Sequence, residues 1–270
     1  MELDLNHDRT VDERDVLALG FPRPKVAATL PTLGTSKVFC LIIEFSDYEH
    51  WFDKEEFEDN LFGDGDTYYY YRGLQYYYKQ ASYQQLTIDG SVYGWYQAEH
   101  ERTYYHPNNN NSYPEDTLRR EQLIFEAIDA ADDAGADFSQ YDNDGDGEVD
   151  YFLVVWTGPH GAWASFWWGY QTRIHVLANK TVDGVRFGTY SWQWEQYYGF
   201  NGDPPNPPRW DPLVTIHETG HALGLPDYYD YDDGQGPDGG CGGMDMMDAN
   251  HGDHNCFSTV SYTHLTLPTN

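Results

Sequence analysis

His217, Glu218, Thr219, Gly220 and His221 spell HExxH. On a helix, residues four apart lie on one face, one turn apart. Two imidazoles so placed can grip a single metal ion. Zinc is the ion this pattern suits, because it lowers the pKa of a bound water toward about 7 and a neighbouring carboxylate can take the proton. Glu218 is that carboxylate, and the nucleophile it generates can attack a peptide carbonyl. A chance occurrence of the pattern is the competing explanation, and the surroundings argue against it. Leu213 to Leu223 reads as a helix, as the pattern requires. Gly224 stops it three residues after His221, and glycine permits a sharp turn there. Asp227 follows ten residues after His217, where a turning chain can return an oxygen ligand to the metal. Two other roles are open to Asp227: a cap at the helix exit, or a calcium ligand together with Asp230, Asp232 and Asp233.

A second constellation is YDNDGDGEVD, Tyr141 to Asp150. With Asp142 at position 1, Asp144, Asp146, Glu148 and Asp150 occupy positions 3, 5, 7 and 9 of a calcium loop, and Gly147 occupies position 6. Glu148 would offer its backbone carbonyl. Position 12 is Leu153, so the bidentate carboxylate of a helix-loop-helix hand is missing and the loop runs straight into a strand. Calcium binding is the expectation, since so many neighbouring carboxylates repel one another unless a cation offsets them. A solvated acidic turn is the alternative. Its expected job is to tie the helix after Pro114 to the strand ahead of the cleft.

Other residues carry less. His7, His50, His100 and His106 have no ligand spacing and read as surface residues. His160 reads as a surface-loop residue, with a place near a substrate cleft as the alternative. His251 and His254 are three apart but lack a third ligand, and Asp253 with His254 better suits a loop-organising role. The aromatic clusters WASFWWGY and YSWQWEQYYG read mainly as core. Of three cysteines, Cys40 sits in a core strand, and Cys241 and Cys256 could pair.

Positioning these groups takes a sizeable core, and the chain has one to offer. Forty per cent of its 270 residues are apolar. Acidic residues number 45 and basic ones 15, for a formal net charge of -30. So acidic a chain is a poor partner for nucleic acid or anionic membranes. The longest apolar runs, Val38 to Ile43 and Tyr151 to Trp156, have six residues each, too short to span a bilayer. No signal peptide is visible in the acidic opening MELDLNHDRT.

Residues 1–36 read as a lead-in that closes on a proline-containing linker, and the chemistry-bearing domain is expected over 37–257. Val38 to Phe45 and Val149 to Trp156 are expected as central strands. Residues 53–60 suit a short helix, and Thr67 to Ser82 a longer one packed through its tyrosines. Gln85 to Tyr96 reads as a hairpin turning at Asp89-Gly90. A helix starts at Pro114 and runs to about Asp133. Arg173 to Leu177 and Val185 to Trp192 are expected as further strands. The fold class is α+β.

The segment HETGHALGLPDYYD resembles the immune-inhibitor-A-like metallopeptidases, the M6 family of the metzincin clan. The likeness extends over most of Lys37 to Phe257. KVFCLIIEFSD resembles the family's opening strand, RGLQYYYKQASYQQLTIDGSVYGWY its helix and hairpin, and GDHNCFS the segment after its methionine turn. The resemblance implies a mixed, mostly parallel sheet with an active-site helix over a small irregular lower lobe. It implies zinc held by His217, His221 and Asp227. It also implies a methionine beneath the metal: Met247 within GGMDMMD, with Met246 as the alternative. Secretion follows from it too, with a leader not present in this sequence and with residues 1–36 as the end of an inhibitory pro-segment. The tail VSYTHLTLPTN, residues 258–270, departs from the family pattern and reads as atypical or truncated. The expected function is a zinc endopeptidase acting on protein or peptide substrates. The alternatives are a catalytically silent binding module for protein or glycan, which the intact Glu218 disfavours, and a structural calcium protein, which His217 and His221 disfavour.

Overall fold

The computed structural model describes residues 28–106, 115–163, 165–195, 209–229, 240, 243–250, 254, 258 and 259. Pro114, Cys241, Cys256, His251, Asp253, Asp230, Asp232, Asp233 and the segments 1–27 and 260–270 lie outside the described residues.

Strand β1, Gly34–Glu44, is the apolar run expected near the start, and its middle residues are fully buried. Two helices follow, α1 (Lys54–Phe62) and α2 (Leu74–Ala81). Next come β2 (Leu86–Gln97), a short helix α3 (Arg102–Tyr105) and the long helix α4 (Glu115–Asp133). A 3-10 turn over Phe138–Tyr141 leads through the acidic loop into β3, Glu148–Trp156. Then follow β4 (Tyr170–Arg173), β5 (Thr181–Val182), β6 (Val185–Trp194), α5 (Leu213–Ala222) and α6 (Met246–Ala249). No helix among the described residues is long and apolar enough to cross a membrane.

The strands form one six-stranded sheet in the order β2-β1-β3-β6-β4, with β5 also on β6. The first four in that order run parallel, while β4 and β5 run antiparallel to β6. This is an α+β fold on a mixed, mostly parallel sheet. Central strands apolar on both faces call for a cover on each. One face packs against α2 and α5 and the other against α4.

Three expectations fail at particular residues. Asp89-Gly90 is no turn: β2 runs unbroken through it, in parallel register with β1. Gly90 is there for closeness, since a Cβ would stand 1.6 Å from the Val38 carbonyl oxygen. The hairpin turn lies instead at Asp183-Gly184, both at positive φ, between β5 and β6. The tyrosine-rich helix covers only Leu74–Ala81. Arg72 has φ 59°, and Gly73 presses so close to Asn60 that a Cβ would meet its carbonyl oxygen at 2.3 Å. Finally, the strand expected over Arg173 to Leu177 is β4, Tyr170–Arg173. The amides of His175, Val176 and Leu177 turn away to the buried Glu121 carboxylate at 2.7, 2.8 and 2.7 Å.

Candidate metal centre

Helix α5 carries HExxH against the sheet. Its start is pinned by Gln193 of β6, whose amide donates to the Thr215 hydroxyl, and by the Tyr78 hydroxyl, which donates to the Ile216 carbonyl at 2.6 Å. Its end closes in the expected turn: Gly224 has φ 88°, and the Leu225 amide donates back to the Gly220 carbonyl at 2.9 Å. The amides of Thr29 and Leu30 donate to the Ala222 carbonyl at 2.9 and 3.1 Å. The lead-in is thereby tied to the last turn of the helix.

The turn returns Asp227 to the histidines. Its Oδ1 lies 3.0 Å from His217 Nε2 and 3.3 Å from His221 Nε2. The opposite ring nitrogens face carbonyl oxygens, His217 Nδ1 at 2.9 Å from Met246 and His221 Nδ1 at 2.8 Å from Leu225. A carbonyl only accepts, so each Nδ1 carries the hydrogen. In its neutral form each ring presents the Nε2 lone pair to Asp227. Three acceptor atoms thus converge, all within 4.8 Å of one another, in a largely buried place. Such a set is stable only around positive charge.

Zinc fits this donor set. Its bonds to imidazole nitrogen and carboxylate oxygen are about 2.0–2.2 Å, so tetrahedral neighbours stand about 3.3–3.6 Å apart, close to the spacings here. Electrostatics point the same way. Burial disfavours charge on His217, but the Asp227 hydrogen bond and the Glu218 charge outweigh it and hold its pKa up at about 9. His221 is raised by the same contest. A field that favours a proton on these rings favours a metal cation between them.

Glu218 lies beside this centre with 6% of its surface exposed. Burial pushes its pKa up, against the pull of His217 and His221. The backbone amide of Gln171 on β4, the antiparallel edge strand, adds a smaller pull in the same direction as the histidines. Met247 is fully buried under the helix, and a Cβ on Gly220 would stand 2.4 Å from its sulfur. Met246, the alternative, contributes the carbonyl that orients His217. Asp245 caps the Met246–Ala249 turn by accepting from the Met247 amide, and it also accepts from Ser258 Oγ at 2.8 Å. His254 lies 3.4 Å from the same carboxylate, the loop-organising role expected of it. The Gln171 amide and the two orienting carbonyls escaped the sequence reading because backbone groups leave no signature in residue type.

The acidic loop gathers only part of its set. Oxygens of Asp142, Asp144 and Asp146 lie within 4.8 Å of one another. Glycines at positive φ, Gly145 and Gly147, bend the chain around them. Asp150 is turned elsewhere, accepting from the Asn143 amide and side chain at 2.7 and 2.8 Å. Burial raises its pKa to about 6. The Glu148 side chain pairs with Arg173 at 2.9 Å. The loop is anchored to the start of β1 through Asn143 and the Lys37 backbone.

Comparison with known proteins fits this arrangement. The family described as "Immune inhibitor A peptidase M6, catalytic domain" matches residues 26–151. Over this stretch the chain resembles the M6 peptidase family. It is 25% identical over 256 residues to Immune inhibitor A of Bacillus thuringiensis subsp. alesti, covering 73% of this chain and 34% of that protein. It is 26% identical over 245 residues to the pre-pro-metalloprotease PrtV of Vibrio cholerae serotype O1, covering 73% of this chain and 25% of that protein. The chain therefore spans about a third and a quarter of these relatives. The family match ends at residue 151, before the HExxH helix. For the helix, what stands apart from that match is the convergence of His217, His221 and Asp227.

Proposed function

We propose that this chain is an M6-type, zinc-dependent endopeptidase that hydrolyses peptide bonds in proteins. The observation that carries the reading is the convergence of His217 Nε2, His221 Nε2 and Asp227 Oδ1, with both rings held in the metal-ready tautomer by the Met246 and Leu225 carbonyls. Zinc held by these three residues supplies Lewis acidity that polarises the scissile carbonyl. Glu218 does the proton chemistry. Its buried carboxylate takes a proton from the attacking water and returns it to the leaving amine. A pKa raised by burial suits that exchange, because a stronger base accepts the proton more readily. The Gln171 amide on β4 favours the ionised form of the carboxylate. Met247 packs beneath the ligand-bearing helix and takes the methionine-turn role.

Asp142, Asp144 and Asp146 are proposed to hold calcium, with Glu148 offering its carbonyl and Asp150 joining through water or a side-chain turn. Secretion is supported by likeness to a protein named as a pre-pro-metalloprotease. The test is metal content together with casein hydrolysis for the wild type and Glu218→Ala. About one equivalent of zinc in both proteins, with hydrolysis lost in the variant, is the expected result. Hydrolysis at the wild-type rate by Glu218→Ala would overturn the mechanism.

A further inference from the structure

Strand β6 presents different chemistry to its two layers. Tyr190, Trp192 and Trp194 pack on the α4 side. Thr189, Ser191 and Gln193 alternate with them, and Glu195, the next residue beyond the strand, continues the polar row; all four are buried. Buried polar groups are costly unless each finds a hydrogen-bond partner. Gln193 Nε2 donates to Thr215 on α5. Glu195 Oε1 accepts from the backbone amides of Trp51 and Phe52 at 2.7 and 2.9 Å. Gln193 Oε1 and Glu195 Oε2 are then two buried oxygens, on residues two apart, with no hydrogen-bond donor among the described residues. Residues two apart on a strand are about 6.5–7 Å apart, a gap that long side chains close directly or through one water. An amide oxygen and an ionised carboxylate both only accept. A neutral carboxylic acid has one hydrogen to give.

We propose that Glu195 works as a protonated carboxylic acid whose hydrogen serves Gln193, which makes it a positioning residue for helix α5. The hydrogen bonds then run in one sense from the Trp51 and Phe52 amides through Glu195 and Gln193 to Thr215. The Thr215 carbonyl in turn accepts from Thr219 Oγ1 at 2.7 Å, so the chain spans the turn that carries His217 and Glu218.

The charges around Glu195 favour the neutral form. Burial is the largest cause and lifts its pKa to about 8, against the two amide hydrogen bonds. Glu44 at the end of β1 and Glu56 on α1 add like charge. His50 is already paired with Glu44 at 2.6 Å, and Arg209 acts on Glu56. The closed state holds this proton up to about pH 8, while an opened or unfolded chain releases it near the ordinary glutamate value of about 4.3. The stability this group contributes is therefore complete below that ordinary value. It is lost as pH rises toward about 8 and is level above it.

The test is hydrogen exchange of the α5 amides and the Trp51 and Phe52 amides in the full chain from pH 5 to 9, corrected for intrinsic rates. Wild-type protection should fall by up to about tenfold per pH unit and level off near pH 8. Glu195→Gln offers an N–H where the acid has its O–H and should remove that slope. A packing role alone would change protection by one factor at every pH, so parallel profiles for wild type and Glu195→Gln overturn the proposal. If the variant does not fold, carboxyl ¹³C titration of the wild-type chain decides: a Glu195 midpoint well above the ordinary range supports the proposal, and ionisation complete at pH 6 overturns it. None of these readouts depends on zinc or on hydrolysis.

Discussion

Glu121→Gln isolates the clamp that ends β4. Glu121 is fully buried on α4, and its two oxygens accept three backbone amides, those of His175, Val176 and Leu177. Glutamine keeps the volume but replaces one oxygen with an NH2 group. At least one amide then faces a donor and loses its partner, and the bonds that survive lose their charge assistance. A buried donor without a partner costs about 1–3 kcal/mol, and charge-assisted bonds exceed neutral ones by about 1 kcal/mol each. Relief from burying a charge offsets part of this. The net destabilisation should be about 3 kcal/mol, roughly 6–12 °C in melting temperature for a chain of this size. Urea unfolding followed by tryptophan fluorescence measures it as a lowered midpoint at unchanged slope. β4 also carries the Gln171 amide, which favours the ionised form of Glu218, so hydrolysis should fall more than zinc content does. A loss below about 1 kcal/mol would refute the clamp, leaving the turn at residue 175 to be explained by the chain's own preference.

Other perturbations address the centre and the loop. His217→Ala and His221→Ala should lose both zinc and hydrolysis, because each removes one of the two nitrogen ligands; metal analysis after dialysis checks this. Asp227→Ala should weaken both, and unchanged zinc affinity would place the third ligand elsewhere. Asp144→Ala should lower the melting temperature mainly in calcium-containing buffer, since ligand binding to the folded state supplies the stabilisation; equal wild-type melting with calcium and with a calcium-specific chelator would count against a bound ion. Gly220→Ala gains about 1 kcal/mol of helix propensity, yet its Cβ would meet the Met247 sulfur at 2.4 Å. Overpacking in so tight a place costs about 1–3 kcal/mol, so a net loss is expected, and a denaturation midpoint above wild type would show that Met247 yields freely.

Part of this protein is determined locally, and that part is legible in the sequence. HExxH needs only a helix to align its side chains, and Gly224 needs only its own backbone freedom to end that helix, so both follow from spacing. The strands β1 and β3 announce themselves because a strand buried on both faces must be apolar at nearly every position. The acidic loop is legible for a related reason: glycines at Gly145 and Gly147 and carboxylates at alternate positions encode a chain wrapped on itself. Where a residue's role depends on what lies opposite, spacing is silent. Asp89-Gly90 and Asp183-Gly184 are the same dipeptide, yet one runs through a strand because the Val38 carbonyl leaves no room for a side chain, and only the other turns. β4 ends where Glu121, more than fifty residues earlier in the chain, captures its outgoing amides. Asp150 has the spacing of a calcium ligand, but its contact with Asn143 follows from the fold and not from spacing. The histidine tautomers depend on the Met246 and Leu225 carbonyls, and the Gln171 amide acts on the Glu218 charge. Backbone groups are chemically alike at every position, so only the tertiary structure decides which of them reaches the site.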